Sequence, residues 1–169
     1  MAQLIRTTGF LLVLFSAVAA AQVKRPAVQS LAALPRYVGT YPCTNGVLVA
    51  PVLQLALERA LGQDFAAYQK HLALASCGPV ESEGAFIVMV ESQSGVAGQT
   101  SMIFVRMPEQ VVHVFWLKSL VPAQAYQVYG PRPVPAEVMA SIVRHMNDGW
   151  GRVAQFTARG DRLDIVVKK

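Results

Sequence analysis

Charge, histidine and cysteine are all scarce in this chain. Only 15% of its residues are charged, and it holds two cysteines and three histidines. No two of His71, His113 and His145 stand at metal-ligand spacing, and a metal site needs three or four converging ligands. No metal site and no cofactor are expected. Lysine and arginine form no block with interleaved aromatics, which argues against a nucleic-acid partner. Ser92-Gln93-Ser94-Gly95 lacks the glycine that precedes a nucleophile elbow. There is no internal repeat and no low-complexity tract. With no catalytic motif in view, the chain reads as a binding protein, not an enzyme.

What is present begins with a targeting pattern. Arg6 precedes an apolar run from Phe10 to Ala21 that ends in Ala19-Ala20-Ala21. This predicts a secretory signal over residues 1–21 and a single domain over 22–169. The run is shorter than the roughly 20 residues a spanning helix needs, so no stable membrane span is expected after cleavage. The expected location is periplasmic or secreted. Without Arg6 the chain carries 14 basic and 10 acidic residues, a net charge of +4, spread without clustering. Cys43 and Cys77 then meet an oxidising compartment, which predicts one disulfide. Closing that loop stabilises the fold by roughly 4 kcal/mol in the chain-entropy view.

The centre of the chain predicts strands. Gly84–Glu91, Ser101–Met107 and Val111–Lys118 are β-branched and aromatic runs separated by turn residues, the pattern of an antiparallel meander. Both faces of each run are apolar, so the sheet needs a cover on each side. Upstream, residues 22–36 read as a poorly ordered leader. Pro51 opens a helix with an apolar stripe that stops at Gly62. Asp64 caps a second helix carrying Phe65, Tyr68 and Leu72, which ends at Cys77-Gly78-Pro79. The two helices form a hairpin with both cysteines at one end. Downstream, the proline-rich stretch 120–135 reads as a long ordered connection or an edge strand around Tyr126–Tyr129. A third helix buries Val138, Met139, Ile142 and Met146 and ends at Asn147-Asp148-Gly149. A C-terminal hairpin turns about Arg159-Gly160-Asp161, which is ordinary turn chemistry. The predicted class is α+β.

Few side chains offer chemistry. His113 alternates with apolar residues and reads as packing, while His71 and His145 read as solvated helix residues. Glu81, Glu83 and Glu91 at strand ends are the carboxylates that would suit a hydrolase, Glu81 and Glu83 on one face of a strand, and otherwise they read as solvated residues flanking it. The stretch from Glu91 to Thr100 is long for a hairpin turn. Loops on rigid sheets are where binding tends to sit, so Ser92, Gln93, Ser94, Gly95 and Val96 are the candidate binding residues.

The order of two short helices, then Phe86-Ile87-Val88-Met89, a loop, Ser101-Met102-Ile103-Phe104-Val105, and Val112-His113-Val114-Phe115-Trp116 resembles the Ivy-type periplasmic inhibitors of vertebrate lysozyme. The resemblance spans roughly residues 50–118 and lies in pattern and spacing. It implies a non-enzymatic α+β protein, a lysozyme-like hydrolase as partner, and a homodimer as one assembly. The family's inhibitory loop is closed by a disulfide and carries a histidine. The equivalent stretch here, Glu91–Gln99, has neither, so no inhibitory residue carries over. The alternative is an envelope module that binds a small ligand or assembly in a groove between sheet and helices.

Overall fold

The computed structural model describes residues 28–93, 99–120 and 125–168. The expected signal, residues 1–21, and the loop residues Ser94, Gly95 and Val96 lie outside these. The fold is α+β, as expected.

Helix α1 spans Pro51–Leu61 and α2 spans Phe65–Leu74. Proline at the first position of α1 has no amide hydrogen to waste there, and Leu53, Leu57 and Leu61 recur on one buried face. Burying each such leucine contributes about 2 kcal/mol. Gly62 ends the helix at φ 55°, a conformation glycine reaches without strain.

The strands are β1 (Ala75–Cys77), β2 (Glu81–Glu83), β3 (Phe86–Gln93), β4 (Thr100–Arg106), β5 (Val111–Ser119) and β6 (Ala125–Tyr129). They make one sheet in the order β1-β3-β4-β5-β6, with β2 pairing β3 beside β1. Every pairing is antiparallel. Alternation divides the central strands between two cores. Ile87, Met89, Ile103, Val105, Val114 and Trp116 meet the α1–α2 hairpin. Phe86, Val88, Met102, Phe104, Phe115 and Leu117 face the opposite way. There they meet helix α3 (Ala136–Trp150) and the two-stranded sheet β7 (Ala154–Arg159) and β8 (Arg162–Val167). Both faces of the sheet are therefore covered, as its two apolar faces require.

Four expectations need correction. Residues 31–36, read as the end of a leader with little pattern, form with Tyr37 a 3-10 turn that buries Leu31, Leu34 and Tyr37. The second helix stops at Leu74, and Cys77 lies in β1, because residues 75–77 complete the edge of β3. Asp64 makes no cap bond; its carboxylate accepts from Tyr129 Oη at 2.6 Å and Lys118 Nζ at 3.4 Å. Helix α3 runs past Asn147, whose side-chain amide pairs with both backbone groups of Phe156 at 3.0 Å and so docks β7.

Cys43 and Cys77 are joined, with Cα atoms 5.9 Å apart. The bond ties the loop before α1 to the sheet edge. Gly130, at φ 117°, lies so close to β5 that a Cβ would sit 2.7 Å from the Val112 carbonyl oxygen.

Candidate functional site

Two glutamates anchor the polar groups of the interior, one on each face of the sheet. Glu91 lies on the face covered by α2. In register it stands beside Ser101, and Ser101 beside Trp116, so one row crosses β3, β4 and β5. Tyr68 and His71, three residues apart on α2, come down on that row. The Ser101 hydroxyl donates to Glu91 Oε2 at 2.9 Å, lies 3.0 Å from His71 Nε2, and accepts from Tyr68 Oη at 3.1 Å. A hydroxyl has one donor and two acceptor sites, so these three partners saturate it, with Nε2 of a neutral His71 donating. His71 Nδ1, Glu91 Oε1 and Trp116 Nε1 are buried without a partner.

The row is closed to solvent: Glu91 and Ser101 are 0% exposed and His71 3%. His71, read from sequence as solvated, is instead a core residue. Burial lowers its pKa to about 4. Burial pushes the Glu91 carboxyl well above the ordinary carboxylate range, against the pull of the Ser101 hydrogen bond. Burial also raises the Tyr68 phenol, with the nearby Glu91 adding to it. Serine, histidine and a carboxylate meet here, but the carboxylate binds the serine and not the imidazole, and no substrate can reach them. The row's effect is mechanical, fastening three strands to one helix.

That fastening lies under the β3–β4 connection. Ser92 pairs with Thr100, and the Gln93 amide donates to the Gln99 carbonyl at 3.2 Å. Gln93 Nε2 donates to the His71 carbonyl at 3.3 Å. Of the stretch expected as a loop, Glu91, Ser92 and Gln93 therefore belong to β3, because the buried Glu91 draws the strand onward. The connection between the two strands shortens to residues 94–99.

The second glutamate, Glu83, lies on the α3 face. Its Oε2 accepts from Ser141 at 2.6 Å, and its Oε1 lies 2.7 Å from His145 Nε2 and against the Arg144 guanidinium. Glu81 Oε2 is 3.9 Å from the same imidazole nitrogen. Burial raises the Glu83 carboxyl, but hydrogen bonds from Ser141, His145 and Arg144 outweigh it and hold the group below its ordinary value. Among the described residues, Glu81, Glu83 and His145 form the set of donors able to hold a metal ion. Sequence spacing could not find it, since 62 residues separate Glu83 from His145. Neither Glu83 nor His145 is the solvated residue expected: each side chain keeps only 17% and 15% of its exposure. A cleft of about 550 Å³ opens beside Glu83, lined by Ser82, Glu83, Phe86, Phe104, Ser141 and Arg144 among others.

His113 is buried as expected, its Nε2 3.2 Å from the Pro131 carbonyl oxygen. A further cleft of about 520 Å³ lies between α1 and the β4–β5 turn, with Leu55, Ala56, Arg59, Gln110 and Val112 in its walls. Among the described residues no helix is long and apolar enough to cross a membrane. Comparison with protein-family models, with characterised proteins and with solved structures returns no match.

Proposed function

We propose that this is a non-enzymatic binding protein of the periplasm or extracellular space. The tip of the β3–β4 hairpin engages a protein partner, a lysozyme-like cell-wall hydrolase, and inhibits it. The observation that carries this reading is the closed polar row beneath the tip. Burying Glu91, Ser101, His71 and Tyr68 is costly unless they satisfy one another. Hydrophobic residues would fill the same space more cheaply, but would not fasten β3 to β4 as the Ser101–Glu91 hydrogen bond does beside the Ser92–Thr100 pair. A base held this firmly lowers the ordering cost of the tip when it binds. The resemblance to Ivy-type inhibitors points to the same connection between the first two long strands. The disulfide fits an oxidising compartment.

The chain's basic balance opposes a cationic hydrolase, so affinity for such a partner should rise as salt screens the repulsion. The cleft beside α1 favours a second reading, an envelope module taking a small apolar ligand near Arg59.

The test is titration of the chain without residues 1–21 into a lysozyme assay, beside a variant with Gln93-Ser94-Gly95-Val96 replaced by alanine and glycine. Stoichiometric inhibition by the first and none by the second supports the proposal. No inhibition at micromolar protein overturns it, and a ligand co-purifying with the protein would then favour the cleft.

A further inference from the structure

We propose that Glu81, Glu83 and His145 form a binding site for a divalent transition-metal ion of the Zn²⁺ class. The donors come from two elements that the core holds together. β2 puts Glu81 and Glu83 on one face two residues apart, and α3 brings His145 above them. All three donor atoms lie within 4.8 Å of one another. Bonds of about 2.0–2.2 Å in tetrahedral array separate neighbouring ligand atoms by roughly 3.3–3.6 Å. The two distances to His145 Nε2, 2.7 Å from Glu83 and 3.9 Å from Glu81, bracket that spacing. Small rotamer changes would bring them to it.

Three features make this more than a cluster of acids. One donor is an imidazole, which favours Zn²⁺, Cu²⁺ or Ni²⁺ over Mg²⁺ or Ca²⁺. The second oxygen of Glu83 is held by Ser141 at 2.6 Å, an outer contact of the kind that orients a ligating carboxylate. The adjoining cleft, which Glu83 itself lines, leaves room for water or a fourth ligand. Arg144 is the competitor. Its guanidinium contacts the same Glu83 oxygen, but its side chain is 53% exposed and can swing into solvent. The two carboxylates and the Arg144 guanidinium together leave one net negative charge for the ion to meet. As the ion enters, the His145 Nε2 lone pair turns to it and the ring proton resides on Nδ1.

The test uses tag-free, disulfide-intact protein and calorimetric titration with Zn²⁺, and with Mg²⁺ as control. His71 and His113 are buried, so His145 is the accessible imidazole among the three. One equivalent of Zn²⁺ should bind at micromolar affinity, and Mg²⁺ should not. His145→Ala and Glu83→Gln should each weaken Zn²⁺ binding by at least about tenfold. Arg144→Ala should strengthen it several-fold, an effect that loss of structure cannot imitate. Glu81→Gln, at a side chain 43% exposed, provides a variant that keeps the fold, and it too should weaken binding. No Zn²⁺ binding, equal binding of Mg²⁺, or affinity unchanged in the histidine and glutamate variants would overturn the proposal.

Discussion

Glu83 and Glu91 flank a single strand-pair system yet end in opposite states. Glu91 stands on β3 under α2, fully enclosed, and burial drives its carboxyl towards the neutral form. Glu83 stands on β2 under α3, partly open, and donors from Ser141, His145 and Arg144 keep it ionised despite its burial. The difference lies in the covering helix. From α2 come a tyrosine and a histidine, neutral groups that share one serine hydroxyl. From α3 comes a guanidinium beside an imidazole. One glutamate becomes a fastening for the hairpin, and the other an accessible donor.

The largest effect should come from removing the hydroxyl that Glu91, His71 and Tyr68 share. Ser101→Ala strands three buried polar groups and should lower stability by roughly 3 kcal/mol, read from the denaturant midpoint. Glu83→Ala should lose less, about 1–2 kcal/mol, because water screens its half-exposed partner Arg144. If the two losses prove equal, the contrast between the faces is wrong.

Dependence on pH sharpens the contrast. His71 has a folded value of about 4, below its ordinary 6.5, so its contribution is complete above pH 6.5. That contribution declines on acidification towards pH 4, by on the order of 3 kcal/mol in total. Glu91 has the opposite sign. Its raised folded value favours stability at low pH, and the contribution is lost as pH rises above the ordinary 4.5. Between these ordinary values the two slopes offset each other. Glu91→Gln should remove that offset, gaining stability relative to the parent as pH rises while keeping the acid-side loss. Glu83 is lowered, so its contribution is present above 4.5 and disappears only at more acid pH. Thermal melts across the acid range, with and without Glu91→Gln, check all three signs. The smallest effect belongs to the exposed pair Arg106–Glu109 at 3.3 Å, where Arg106→Ala should change stability by about 0.5 kcal/mol or less.

Much of this fold is legible in the sequence, for identifiable reasons. The meander shows because β-branched runs alternate between turn residues, and α3 shows because Val138, Met139, Ile142 and Met146 keep one helical face. The disulfide shows because a lone cysteine pair has no other partner. What stays hidden is every polar contact between distant elements. Asp64 looks like a helix cap because capping is local, but Tyr129 reaches it from 65 residues away. His71 and Glu91 look solvated or loop-bound because polarity is read residue by residue, whereas Ser101, on another strand, is what permits their burial. Glu81 and Glu83 are visible as a pair on one face, but nothing near them in the chain announces His145.

The most direct test of the account is an NMR titration of the glutamate carboxyl carbons in the intact protein. The account predicts that Glu91 titrates above the ordinary carboxylate value and Glu83 below it. Glu91 titrating at or below that ordinary value would contradict it. The row under the β3–β4 tip would then be open to water and could not serve as the firm base on which the proposed binding depends.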